Sequence, residues 1–316
     1  MQGVTVHSES STDSVTGLYE SVPCNLCGGT NLRTVRPGRE RSEAELEVRF
    51  KSSSDEALHD PLVECLTCGL QFVNPRLRAE VILSGYRDGT DETFVSQAPA
   101  RERTFDKALN MIEQFAPQRG HLFDVGTAAG SFLHVAKARG WTVSGCEPNT
   151  WLGEWGKRTY GLDIKPGTLA DGRYADAAFD VVTVWDVLEH THDPQGFLRE
   201  CQRVLKPGGF LIVNVPDIGS WIARLMGRHW LMLLSTHLYY FTRQTLAQLL
   251  QRVGFDVVRV KPHVQWLELG YVIKRGEPVA GPLARVSGKV VSGLGLGNLH
   301  VPYWIGQTLV IARKQA

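Results

Sequence analysis

LFDVGTAAGSFLHVAKARGWTVSGCEPNTW, running from Leu122 to Trp151, is the stretch whose reading decides the fold. A short apolar strand leads into Asp124, glycines stand at Gly126 and Gly130, Ser131 to Ala138 reads as helix, and a second strand from Trp141 to Cys146 ends on Glu147. Glycine lets a backbone turn sharply and lie close to a ligand, and the first turn of a helix leaves N–H groups free. A carboxylate closing the next strand accepts the hydrogens of ribose hydroxyls. The unit reads as a nucleoside-cofactor site. The same residues also fit a plain βαβ packing turn.

The spacing is DxGxxxG rather than the dinucleotide pattern GxGxxG, and Ala128 holds the middle position of the more glycine-rich form. With no third glycine at dinucleotide spacing, a pyrophosphate is poorly provided for. S-adenosylmethionine, which has a ribose and no phosphate, suits the loop better.

The 316 residues allow one large domain plus a small one, or two domains. A formal charge of +1 gives no general electrostatic hold on nucleic acid. The first residues, MQGVTVHSESSTDS, lack a basic start and an apolar run, and nowhere do about 18 apolar residues follow one another. A cytoplasmic protein without a spanning segment is expected.

Six cysteines fall into two classes. Cys24 with Cys27 and Cys65 with Cys68 form two CxxC pairs, each followed by glycine, whereas Cys146 and Cys201 stand alone in apolar surroundings. Two such knuckles supply the four thiolates of a tetrahedral structural Zn²⁺. Disulfides are the alternative, and they fit a cytoplasmic chain poorly.

In chain order, residues 1–20 form a Ser/Thr-rich tail expected to be disordered, 21–76 a zinc-binding module, and 77–316 the large domain. Leu46, Val48 and Phe50 alternate with charged residues, which predicts a strand over Glu43 to Lys51. Phe105, Leu109, Ile112 and Phe115 share a helical face over Arg101 to Phe115; this helix covers the sheet edge and, with the loop around Tyr86, closes over the cofactor. Phe179 to Trp185 is almost wholly apolar, as a strand buried on both faces should be, and runs straight into Asp186, Glu189, His190 and His192. Lys206 to Gly209 breaks the following helix before a strand from Phe210 to Val215. The segment at about 218–242 carries Trp221, Trp230, His237, Tyr239, Tyr240 and Phe241 and is read as an aromatic lid over an acceptor, with a core-covering or interfacial helix as alternatives. A helical insertion at about 276–304 places Leu283, Val286, Val290 and Leu294 on one face, for packing or a homodimer contact. Strands alternating with helices make the fold class α/β, a doubly wound, mostly parallel sheet.

With these pieces placed, DVGTAAG at Asp124–Gly130, the acidic strand end at Glu147, FDVVTVWDVLEHTHDP from Phe179, RVLKPGGFLIVNVP from Arg203 and TLAQLLQRVGF from Thr245 together resemble the class I S-adenosylmethionine-dependent methyltransferases. The resemblance covers roughly Arg101 to Lys314 and implies a seven-stranded Rossmann-like sheet whose last strand is antiparallel. CNLCG and CLTCGLQFVNPR ahead of it, with HLYYFTRQTL from His237, resemble a bacterial subgroup with an N-terminal zinc module, many of whose members modify sugars, glycans or secondary metabolites. Asp124, Gly126, Thr127, Gly130, Phe132, Glu147, Pro148, Thr168, Leu169, Trp185 and Tyr86 are then the cofactor residues. His190, His237 and Asp186 are the catalytic candidates, and Trp230, Tyr239 and Tyr240 should face the substrate. Asp186-x-x-Glu189-His190 also resembles a stretch linked to a divalent metal in ubiquinone-type O-methyltransferases, so Mg²⁺ there is a further expectation. The expected reaction is O-methylation of a small molecule. The alternatives are C-methylation of a sugar, RNA methylation with the zinc module as reader, and a non-catalytic binding protein.

Overall fold

A computed structural model describes residues 17–39 and 56–315. Its centre is a sheet of seven strands: β1 His121–Val125, β2 Thr142–Glu147, β3 Ile164–Pro166, β4 Phe179–Trp185, β5 Leu205–Pro216, β6 Phe255–Pro262 and β7 Gln307–Lys314. The spatial order is β6-β7-β5-β4-β1-β2-β3, with β7 antiparallel to both neighbours and every other pairing parallel. Side chains alternate across a strand. Phe123, Val182, Val184 and Val213 accordingly join the core on one side of the sheet, and Leu122, Val181, Ile212 and Ile311 the core on the other. Strand order reverses between the parallel neighbours β1 and β4: β2 and β3 follow on one side and β5 on the other. The carboxyl ends of these two strands are where an open α/β sheet leaves a crevice.

The helix expected from Arg101 runs from Ala98 to Phe115, buries Leu109 and Ile112, and packs Phe105 and Phe115 against the same core. Lys206 to Gly209 does not interrupt the chain as expected. Leu205 already pairs with Phe179, and the register slips between Leu205 and Phe210, where Gly208 takes a positive φ of 73°. The chain thus absorbs the Pro-Gly-Gly run as an irregularity within one strand.

The cysteine-bearing region forms a four-stranded antiparallel sheet in the order Tyr239–Tyr240, Gln71–Val73, Leu62–Cys65, Leu32–Arg36. Its first strand comes from the middle of the large domain. Leu58 N–H donates to the Leu233 carbonyl and Ser235 N–H to that of Glu56, at 2.7 and 3.0 Å. Residues 218–242 therefore form a seam between the two sheets. Tyr19–Glu20 pairs with Arg76–Leu77, so the chain is already ordered at the end of the stretch read as tail. The strand expected over Glu43 to Lys51 lies outside the described residues.

Beyond β6 the chain forms a second hairpin, Gln265–Glu268 with His300–Tyr303, which brackets helices Leu269–Arg275 and Pro282–Gly293. The insertion thus begins some ten residues earlier than its helical spacing indicates.

Candidate functional site

The loop after β1 is shaped by three positive φ angles, 68° at Gly126, 48° at Ala128 and 80° at Gly130. A Cβ on Gly126 would come within 2.7 Å of Val187 Cγ2, and one on Gly130 within 2.5 Å of Leu162 Cδ1. Both positions require glycine for conformation and for space. Gly126→Ala is expected to destabilise the protein by about 1–3 kcal/mol in urea titration, because the β-branched Val187 has little rotameric freedom to retreat.

Ala128 holds its left-handed conformation through Glu147. One carboxylate oxygen accepts from Ala128 N–H and the other from Asn149 N–H, each at 2.7 Å, and the Tyr86 hydroxyl adds a third bond. With three of its roughly four lone-pair sites taken, the carboxylate keeps one for a ribose hydroxyl, and withdrawal of the Tyr86 hydroxyl would free a second. Asn149 in turn donates to the carbonyls of Tyr86 and Gly89 at 2.7 and 2.9 Å, tethering the segment that covers the loop. Asp124 lies beneath it, accepting from Thr183 Oγ1 at 2.6 Å.

Burial pushes the carboxyls of Asp124 and Glu147 each up to about 7, against hydrogen bonds from Thr183 and from the Asn149 and Ala128 amides that pull them down. A carboxyl whose folded pKa exceeds its unfolded value stabilises the fold at low pH and loses that contribution as pH rises through the folded value. Thermal stability of the ligand-free protein is therefore expected to fall as pH rises from the ordinary carboxylate range to about 7. Asp124→Asn should flatten a melting profile measured across that range.

A cavity of about 530 Å³ opens at the carboxyl ends of β1 and β4. Asp124, Gly126, Thr127, Phe132, Glu147 and Pro148 line its cofactor side, together with Thr168, Leu169, Trp185 and Tyr86. Gly130 does not line it and instead caps helix Ser131–Ala138, against Leu162. Phe132 meets Phe105 edge-on and Trp185 packs tilted against both rings, the centroids 5.1–5.3 Å apart.

The other side of the cavity brings together Asp186, Glu189, His190 and His237. His190 Nδ1 lies 2.8 Å from the Thr236 carbonyl and His237 Nδ1 3.0 Å from that of Met232. A ring nitrogen facing a carbonyl must carry the hydrogen, which leaves each Nε2 as a free lone pair. Burial lowers both imidazole pKa values from the usual 6.5. Glu189 is buried with no hydrogen-bond partner at either oxygen, and its carboxylate and the two imidazoles offer ligand atoms within 4.8 Å of one another.

Asp186 stands apart from that group. Its Oδ1 accepts from Asn214 Nδ2 at 2.7 Å and Gln307 Nε2 at 3.1 Å, and its Oδ2 from Gln265 at 3.4 Å. The set Asp186, Glu189, His190 expected to hold Mg²⁺ is not assembled. Two imidazoles beside one carboxylate ill suit an ion that prefers oxygen ligands.

Trp230, Tyr239 and Tyr240, expected against the substrate, do not line the cavity. Trp230 donates its indole N–H to the Ile305 carbonyl at 2.6 Å, Tyr240 its hydroxyl to Leu234, and Tyr239 is held by Arg76 and His192. Their rings serve the seam, because the hydroxyl and indole groups find backbone acceptors there. Met232, Leu234 and Thr236 from the same segment line the cavity instead. The sequence also left Arg101 unmarked. It lines the cavity with its guanidinium 3.9 Å from the Phe94 ring centroid and its Nε buried without a partner.

The four sulfurs of Cys24, Cys27, Cys65 and Cys68 lie within 4.8 Å of one another, and none is in a disulfide. Cys24–Cys68 and Cys27–Cys65 are each 3.5 Å apart. Sulfurs at 2.3 Å around a tetrahedral ion are separated by about 3.8 Å, so the cluster fits zinc. Gly29 N–H points at Cys27 Sγ, and a Cβ there would crowd both Cys27 and Cys65 sulfurs.

A family model described as a methyltransferase domain matches residues 98–260. A Mycolicibacterium smegmatis protein named "Probable S-adenosylmethionine-dependent methyltransferase" is 38% identical over 96 residues, covering 30% of this chain and 36% of its own length. A ubiquinone biosynthesis O-methyltransferase of Cereibacter sphaeroides is 28% identical over 177 residues, 52% of this chain and 70% of that one. Norajmaline N-methyltransferase of Rauvolfia serpentina is 29% identical over 141 residues, 40% of this chain and 48% of that one. The crystal structure of a SAM dependent methyltransferase from Archaeoglobus fulgidus superposes with a TM-score of 0.48 at 17% identity, covering 71% of this chain and all of that one.

Proposed function

This chain belongs to the class I S-adenosylmethionine-dependent methyltransferases, and on that footing we propose that it methylates a hydroxyl of a small-molecule acceptor. The observation that carries the choice of oxygen is the pair of neutral imidazoles with free Nε2 atoms on the acceptor side of the cavity. A hydroxyl must lose its proton as it is alkylated, and a neutral imidazole is suited to take it.

The sulfonium cofactor supplies an activated methyl group for in-line displacement. Glu147 is assigned to its ribose, the Gly126 turn to close backbone contact, and Arg101 to its carboxylate, since that guanidinium has no ion-pair partner among the described residues. Trp185, Phe132 and Phe105 exclude water beside the reacting centre. His190 or His237 takes the acceptor proton at Nε2, and Glu189 lies within reach to share it. Asp186 holds Gln265 and Gln307 on the cavity wall. Proper alignment of the two reactants contributes about 7–11 kcal/mol to such a displacement. The four cysteines are assigned to one structural zinc ion.

His190→Ala and His237→Ala distinguish which ring is the base. Loss of the base is expected to lower kcat by about 10²- to 10⁴-fold while S-adenosylhomocysteine affinity stays at the parent value. Because only the neutral ring accepts a proton and burial holds both rings below 6.5, kcat should rise from acid pH and level off before neutrality. The deciding experiment is transfer of labelled methyl onto a panel of phenols, sugar nucleotides and amines, with the product bond assigned by mass spectrometry. Methylation at carbon or nitrogen alone would overturn the assignment to oxygen.

A further inference from the structure

Helix Pro282–Gly293 is docked by its small residues and turns its large ones outward. Ala284 is buried and Gly288 faces Ile273, at 3.6 Å from where a Cβ would stand. On the outer side Leu283, Val286, Val290 and Leu294 are 70, 59, 54 and 66% exposed. An amphipathic helix of a globular domain ordinarily buries such a stripe. Val279 before it and Leu296 and Leu299 after it are also exposed, so open apolar side chains recur along the insertion. Trp221, itself exposed, brings its ring within 5.8 Å of Trp304, directly after the returning strand. These residues, Trp221 apart, lie outside the part of the chain that the methyltransferase-domain family matches.

The charge on this insertion points to what covers it. Between Leu269 and Trp304 stand Lys274, Arg275, Arg285 and Lys289 against a single acid, Glu277, in a chain whose net charge is +1. Helix Pro282–Gly293 has two exposed basic residues and no acidic one. A second copy laid against the same face would bring like charges together with no carboxylate on the helix to pair them. Exposed aliphatic residues flanked by lysine and arginine instead match an anionic lipid surface, where the apolar stripe enters the acyl boundary and the cations stay among the headgroups.

We propose that this helix docks the protein on an anionic bilayer surface. No helix among the described residues is long and apolar enough to cross a membrane, so the contact is peripheral. The helix beneath it, Leu269–Arg275, contributes Tyr271 and Arg275 to the cavity wall. Docking therefore sets the acceptor side of the cavity one helix away from the lipid. The inference stands apart from the assignment of the methyl acceptor and is testable on cofactor-free protein.

The test is co-flotation of the full chain with phosphatidylcholine vesicles with and without phosphatidylglycerol. The parent protein is expected to float with the anionic vesicles and to be released by high salt. Leu283→Asp/Val286→Asp/Val290→Asp should lower the bound fraction at least about tenfold while S-adenosylhomocysteine affinity is unchanged, since all three side chains are outside the core. Arg285→Gln/Lys289→Gln should weaken binding to the anionic vesicles alone. No flotation of the parent, or equal flotation of the triple aspartate variant, overturns the proposal. So does a parent dimer that the triple variant dissolves into monomers without any vesicle binding, because the face then belongs between copies.

Discussion

Replacing Glu147 by alanine is expected to weaken S-adenosylhomocysteine binding by about a hundredfold or more in calorimetry. The carboxylate sits at the end of β2 with both oxygens engaged, one by the Ala128 amide and one by that of Asn149. Removing it would withdraw the acceptor assigned above to the ribose hydroxyls. Hydrogen bonds to a charged group contribute about 1.5–3 kcal/mol each, so two of them correspond to roughly 10²- to 10⁴-fold in affinity. It also strips the support from Ala128, whose φ of 48° is held by that bond. Glutamine is not a gentle replacement, since its NH₂ would face one of the two backbone N–H donors. Affinity for Glu147→Ala within about threefold of the parent value would remove Glu147 from the cofactor site.

Stripping the metal assigned to the cysteine cluster is expected to lower methyl transfer by about 10²-fold or more while leaving the seven-stranded sheet folded. Structural zinc sites carry apparent binding energies of about 10–16 kcal/mol, and that energy is folding energy for the module that holds them. The path from the sulfurs to the cavity is short. Cys65 ends the strand that pairs with Gln71–Val73, that strand pairs with Tyr239–Tyr240, and His237 lies two residues ahead of the latter. Cys65→Ser, or chelation, should therefore lower kcat about as much as losing a catalytic base, about 10²-fold or more, with far-UV circular dichroism largely retained. Full activity in a metal-free preparation would show that the seam holds without the ion.

What could be read in the chain and what could not follow from distance along it. Asp124, Gly126, Glu147 and the strand ends belong to one contiguous unit, whose spacing dictates the turn and places the carboxylate beside it. The two CxxC pairs were equally legible, because each fixes two ligands within a single tight turn. Asn214, Gln265 and Gln307 left no such trace. They meet Asp186 only because β5 lies beside β4, β7 lies beside β5, and the second hairpin supplies Gln265, contacts that no local pattern encodes. The density of aromatics at 218–242 signals burial, which holds for Trp230, Tyr239, Tyr240 and Phe241 but not for Trp221, yet burial against a ligand and burial in a seam look alike in a sequence. What separates them is whether the hydroxyl and indole groups find backbone acceptors, as Tyr240 and Trp230 do. The period of helix Pro282–Gly293 reads as a contact face, and the structure leaves that face exposed among the described residues.

The edge strand Tyr239–Tyr240 sets an order of events during synthesis. Ribosomes deliver the N-terminal part of a chain first, and a domain ordinarily closes as soon as its own residues have emerged. Here the cysteine-bearing sheet waits for a partner translated long after its other three strands. Until then Gln71–Val73 presents an open edge, so early metal capture would be the means by which the nascent hairpins avoid pairing with the wrong neighbour.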